Sequence, residues 1–146
     1  MTNALDVAAA VLLRVPSPTA MKLQKLVYYC QAWHLVWDDE PLFVDEIQAW
    51  ANGPVIPVLY QAHRGQFKVG QLREGNAAIL SQSEEETIDA ICESYGKLSA
   101  SQLSELTHRE DPWRNARVGL HPGERGNKII GHDSMAEYYG SLSDEA

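Results

Sequence analysis

The pattern of apolar and polar positions is strongest between Thr19 and Trp37, TAMKLQKLVYYCQAWHLVW. Leu23, Leu26, Val27, Cys30, Trp33 and Trp37 recur at steps of three or four, which places them on one face of an α-helix. Tyr28, Tyr29, Ala32, Leu35 and Val36 fill most of the remaining circumference, leaving Lys22, Lys25 and Gln31 as the strongly polar positions. A helix apolar nearly all round is buried between other elements. Ser17 or Thr19 can cap its first turn, where Pro18 is also tolerated. Asp38-Asp39-Glu40-Pro41 stops it, because the proline disfavours helix before it and carboxylates oppose the dipole at a C-terminus.

The rest of the chain reads as elements packed on that helix. Asn3 to Val15 predicts a first amphipathic helix capped by Asn3 or Thr2, joined by the stiff Pro16-Ser17-Pro18 connection. Leu42 to Val44 and Ile47 to Ala51 predict a short extended or β-ribbon insert over residues 42–51. Asn52-Gly53-Pro54 is a turn signal, with a proline expected not to extend a ladder. A short helix over Ile56 to His63 follows, and Phe67 to Ser83 has the fewest periodic positions. Ser83, with Glu86 three residues on, predicts the capped start of a helix ending at Gly96. Ser99 or Ser101 caps the next; Pro112 opens a short one over Trp113 to Val118; Ile129-Ile130 forms an apolar plug; His132 to Leu142 is the last amphipathic helix. The fold class is therefore mainly α: a compact multi-helix single domain, spanning 1–146, around a central buried helix at about 19–37.

Charge changes the picture in one respect. Twelve basic and twenty acidic residues give a net charge of −8, which argues against non-specific attraction to nucleic acid or anionic membrane. The whole excess lies beyond Arg73, so an acidic second half is either a solvated helical surface or an attractor for a basic protein. Cys30 and Cys92 sit in apolar helical patterns and read as free thiols of a cytoplasmic protein. No run reaches the ~20 apolar residues of a membrane span, and no basic secretory leader precedes the first helix.

Candidate chemistry is sparse. Cys30, His34 and Asp38 are spaced to align on a helix as metal ligands, but a fourth ligand is missing, so no metal and no cofactor is expected. His108 lies beside Glu110 and Asp111, a combination that can do acid/base work or can cap a helix while Trp113 closes the core. Nucleophile elbow, phosphate loop, HExxH and dinucleotide motifs are all missing, which disfavours an enzyme. Four tryptophans and six tyrosines exceed what the core demands, and large aromatics make good interface anchors.

Several separated blocks then form a pattern: Met21 to His34 (MKLQKLVYYCQAWH), Pro41-Leu42-Phe43, Glu46 to Val55 (EIQAWANGPV), Leu103 to His108 (LSELTH) and Pro112-Trp113. In this order they resemble the Panacea domain, also called the SocA-like or phage-associated GepA-like domain. That resemblance implies a helical antitoxin of a bacterial or phage toxin–antitoxin pair, neutralising a cognate toxin protein by direct binding. It also implies a proteolytic adaptor role as an alternative, in which the domain delivers the toxin to ClpXP through the ClpX unfoldase. A small hydrolase-like enzyme using His108 is a further alternative. Relatives carry extra DNA-binding or other domains; here no separate DNA-binding domain is expected, and with it no direct contact with nucleic acid. The acidic half suits a toxin with a basic surface. The partner-binding positions expected from the pattern are Lys22 and Lys25, as an exposed polar edge of the central helix, with Trp50, Gly53, Pro54, His108 and Trp113 outside the regular helices.

Overall fold

The computed structural model describes residues 2–144. Its first helix, α1 (Ala4–Arg14), opens with a reciprocal capping box: the Asn3 side chain accepts from the Asp6 N–H, and the Asp6 carboxylate accepts from the Asn3 N–H. Thr19 caps α2 (Ala20–Trp37), the central helix, through the Lys22 N–H. Two short antiparallel strands follow, β1 (Gln48–Trp50) and β2 (Gly53–Val55), then α3 (Pro57–His63). After a 3-10 turn at Ala77–Ile79 come α4 (Gln82–Tyr95), α5 (Ala100–His108), α6 (Asp111–Ala116) and α7 (His132–Asp144). The expected mainly helical architecture is the one observed.

Helix α2 packs against α1, α4, α5, α7 and β2, so the element richest in apolar residues is also the one most enclosed. Leu23, Leu26, Val27, Tyr28, Tyr29, Cys30 and Ala32 are fully buried. Its polar residues do not form an exposed edge. Gln24 and Gln31 lie two helical turns apart and each grips backbone from the segment that carries the hairpin. Gln31 accepts from the Leu42 N–H at 2.7 Å and donates to the Phe43 carbonyl at 2.6 Å. Gln24 accepts from the Ile56 N–H at 2.8 Å and donates to the Ile56 carbonyl at 3.3 Å. Both ends of the 42–56 segment are thereby pinned to one helix, and buried amides satisfy otherwise orphaned backbone groups.

Three local expectations are corrected. The β-ribbon does not use Leu42 to Val44; β1 pairs instead with β2, in the register Gln48↔Val55, Ala49↔Pro54, Trp50↔Gly53. Pro54 is tolerated inside a strand because its partner Ala49 spends both backbone groups elsewhere. The Ala49 N–H goes to the Lys128 carbonyl at 2.8 Å, and its carbonyl accepts from Arg117 Nη1 at 3.0 Å. The segment around Ile129-Ile130 thus covers the outer edge of β1, with Ile130 buried and Ile129 exposed.

The cap of α4 is Ser81, not Ser83. The reciprocal partner of Ser81 is Glu84, which also accepts from the Thr2 hydroxyl at 2.9 Å. The stretch from Phe67 to Ser83 is irregular but held. Ala20 and Val69 donate to the carbonyls of Phe67 and Pro18, zipping it to the entry of α2, and Val69 is fully buried.

Candidate functional site

The hairpin turn between β1 and β2 is where the separated sequence blocks meet. Lys25 rises from α2 beneath Gly53, so close that a Cβ at Gly53 would lie 2.5 Å from Lys25 Cε and 3.1 Å from the Thr107 hydroxyl of α5. The hydroxyl of Ser104, on the same helix, donates to the Asn52 carbonyl at 2.6 Å. From α6, the Trp113 indole N–H donates to the Trp50 carbonyl at 2.8 Å. The His108 ring stacks on Trp113 with centroids 4.0 Å apart and planes 9° from parallel, and it hydrogen-bonds the Asn52 backbone. Arg117 sits over Trp113 at 5.1 Å, a cation–π contact, while reaching the carbonyls of Ala49 and Glu124.

The structure therefore brings together Lys25, Trp50, Gly53, Pro54, His108 and Trp113, from α2, the hairpin, α5 and α6. Lys22 stands apart, its ammonium donating to the Gly96 carbonyl at 2.5 Å at the end of α4. Lys25 is not the exposed position expected of it: it is 1% exposed. Its ammonium makes no hydrogen bond or ion pair among the described residues, and burial lowers its pKa to about 7.

Beneath the hairpin lies a cavity of about 740 Å³, lined in part by Lys25, Gln48, Trp50, Tyr60, His63 and Arg125. Trp50 is half-buried; its ring meets Tyr60 edge-on at 5.2 Å, and its N–H is held by Gln48 at 2.8 Å. The orientation of Gln24, set by Ile56, turns its amide nitrogen toward His63 Nε2 at 2.9 Å. An amide nitrogen can only donate, so His63 Nε2 accepts and the ring is neutral. Burial lowers the His63 pKa, as the nearby Lys25 charge does, against a hydrogen bond to its own backbone.

Of the two readings of His108, the pairing with a neighbouring carboxylate does not form. Glu110 turns the other way, into the core, where one carboxylate oxygen accepts from Tyr29 at 2.6 Å and from Tyr139 at 2.8 Å. Asp111 is exposed, 3.8 Å from Arg114. Nε2 of His108 is buried without a partner among the described residues, and burial is the main cause of its lowered pKa. Of the Cys30, His34 and Asp38 set, His34 is taken by the Thr87 hydroxyl at 2.8 Å and by Asp38 at 3.7 Å. Cys30 is buried, with its thiol pushed up by burial, and among the described residues no group of three or more potential ligands is placed to hold a metal.

Sequence reasoning missed Gln24, Tyr60, His63 and Arg125. A signal existed for Gln24: an amide in the middle of an otherwise apolar helix must find a buried partner. Arg125 sits in a loop with no periodicity, and nothing local marks it.

Residues 23–114 match the family described as antitoxin SocA-like, Panacea domain. Antitoxin SocA of Caulobacter vibrioides (strain NA1000 / CB15N) is 33% identical over 122 residues, covering 75% of this chain and 63% of that protein. The chain thus spans less than two thirds of the length of that curated relative. No solved structure matches. Among the described residues, no helix is long and apolar enough to cross a membrane.

Proposed function

This chain belongs to the SocA-like, Panacea-domain antitoxin family, and from that premise we propose that it is a non-enzymatic cytoplasmic antitoxin that neutralises a protein toxin by binding it directly. The observation that carries the reading is the convergence at the hairpin. Sequence blocks separated by up to half the chain place Trp50, Gly53, Pro54, His108 and Trp113 against one another, above Lys25. A strand pair fastened by side chains from α2, α5 and α6 is a rigid platform, and a half-buried tryptophan on it is the type of anchor that dominates interface energies. Lys22 lies outside this face and joins α2 to the end of α4. The catalytic alternative is weakened because Glu110 is turned away from His108 and bound by two tyrosines.

Co-expression with the product of the adjacent reading frame tests the proposal. The expected result is restored growth, co-purification of the two proteins, and a complex burying on the order of 1,600 Å². Toxin that stays lethal and unbound in the presence of this chain would overturn it. Toxin half-life in the same cells separates masking from delivery to ClpXP: masking leaves it unchanged or lengthens it, and delivery shortens it.

A further inference from the structure

The cavity under the hairpin shares Trp50 with the proposed binding face, but its positive charge is a feature that the antitoxin reading does not use. The chain carries a net charge of −8, yet the basic side chains lining this cavity are Lys25, Arg125 and His63, with no aspartate or glutamate beside them. Lys25 is its most deeply placed charged group: 1% exposed, without a hydrogen bond or ion pair among the described residues, and with its side chain on the cavity wall. Its ammonium is reached from the cavity and has no protein partner among the described residues, and a charge so placed is normally paired or hydrogen-bonded. Neighbouring polar groups do not relieve it. The Gln24 amide is spent on Ile56 and His63, and the His63 ring is neutral. Gly53 closes over the Lys25 stem and fixes where the ammonium can go.

The remaining wall sets aromatic and apolar side chains beside the uncharged amides of Gln48, Asn52 and Asn127. Trp50 and Tyr60 stand edge-to-face, with Val55 and Met21 beside them. The volume of about 740 Å³ lies within the ~300–1,000 Å³ typical of small-molecule pockets, and it is much larger than a single inserted side chain requires. We propose that this cavity binds a small, flat, largely apolar molecule bearing one oxyanion, a carboxylate or a phosphate ester, with Lys25 as the counter-charge and Trp50 and Tyr60 against its flat body. Arg125, exposed at the rim, adds a second positive charge along the entry. Lys25 and the anion would form a charge-assisted hydrogen bond in a low-dielectric setting, where such bonds are strongest. The site does not depend on the identity of any toxin.

The full chain is titrated with phenylacetate, phenyl phosphate and the uncharged phenylacetamide, following tryptophan fluorescence and the amide and indole resonances of Trp50. At least one anion is expected to bind saturably, about tenfold or more tighter than the amide. The stronger anion identifies the carboxylate or the phosphate class. In Lys25→Met, expected to fold because it removes a buried charge, the anion binds no better than the amide. In Trp50→Ala, anion and amide weaken together. Three results overturn the proposal: neither anion saturates at millimolar concentration, the amide binds as well as the anions, or anion binding survives in folded Lys25→Met. Should Lys25→Met fail to fold, the comparison of anion with amide on the wild-type chain still decides.

Discussion

Lys25 and Gly53 occupy mutually exclusive space: a Cβ at Gly53 would lie 2.5 Å from Lys25 Cε and 3.3 Å from its Nζ. Gly53 also holds φ at +126°, a backbone region that L side chains rarely adopt. Gly53→Ala therefore carries two penalties, about 1–3 kcal/mol for the backbone and a further one for displacing the lysine. The two separate in a double-mutant cycle. Lys25→Ala opens the space, so the double variant in urea denaturation should be less destabilised than the sum of the singles, by roughly 0.5–3 kcal/mol. Strict additivity would show that the lysine stem is not what glycine makes room for.

Burial of Lys25 predicts an unusual dependence of stability on pH. Its pKa is lowered from 10.5 to about 7 in the folded chain. Between those values the unfolded chain holds a proton that the folded chain has released, so stability rises with pH across the window. Below it both states are charged and the full burial penalty remains, on the order of a few kcal/mol. His63 and His108, the histidines within reach of the Lys25 charge, are shifted below 6.5 and titrate outside the window. Cys30 and Cys92, whose thiols burial raises above 9.0, act the opposite way from about pH 9, and that contribution is common to wild type and Lys25→Met. The urea midpoint of wild type relative to Lys25→Met should therefore rise from pH ~7 to pH ~10. A constant difference between the two proteins would mean that Lys25 keeps its ordinary affinity for the proton.

The residues that define the fold were readable in the chain, and those that define the cavity were not, for physical reasons. The three-four spacing in α2 reports burial directly, because the period and the packing have the same cause. The cap of α4 is locally ambiguous: Ser81 with Glu84 and Ser83 with Glu86 present the same spacing, and the choice falls to Ser81 where Thr2 also donates to Glu84. Pro54 reads as a strand breaker until Lys128 and Arg117, far along the chain, take the backbone groups of Ala49. Lys25 reads as solvent-facing because its cover, Gly53 and Thr107, comes from distant segments. Local pattern carries what neighbours along the chain decide, and each of these misses was decided by a contact across the fold.

The buried carboxylate of Glu110 should behave as a structural acceptor. Tyr29 and Tyr139 donate to the same oxygen, and Tyr139 also meets the Tyr28 hydroxyl at 3.0 Å. Glu110→Ala leaves two buried hydroxyls short of an acceptor, at about 1–3 kcal/mol each. Glu110→Gln retains an oxygen and should lose much less. The pKa of Glu110 is raised, burial outweighing the two tyrosine bonds, so the folded chain holds the proton more tightly than the unfolded one. That contribution is complete below the ordinary value of 4.5 and is lost as pH rises through the folded pKa. Glu110→Gln, neutral throughout, should accordingly gain on wild type as pH rises above about 4.5 in chemical denaturation. Equal losses for the alanine and glutamine variants would remove the acceptor role.

His108 offers the sharpest separation of binding from catalysis. Its ring lies flat on Trp113, bonds the Asn52 backbone, and leaves Nε2 buried with no partner among the described residues. Phenylalanine keeps the flat face, gives up the bond to Asn52 and removes the unsatisfied nitrogen. These last two effects oppose each other, so His108→Phe should stay within ~1 kcal/mol of wild type. His108→Ala also loses the stack and should fall further, by about 0.5–1.5 kcal/mol beyond the area it exposes. A ring whose work is to brace the hairpin for a partner is replaceable by another ring; a general acid or base is not. His108→Phe is therefore expected to rescue cells from the toxin as wild type does, while His108→Ala does so in proportion to its remaining folded fraction. A folded, stable His108→Phe that has lost all neutralisation would instead place the imidazole nitrogens themselves at the centre of the function.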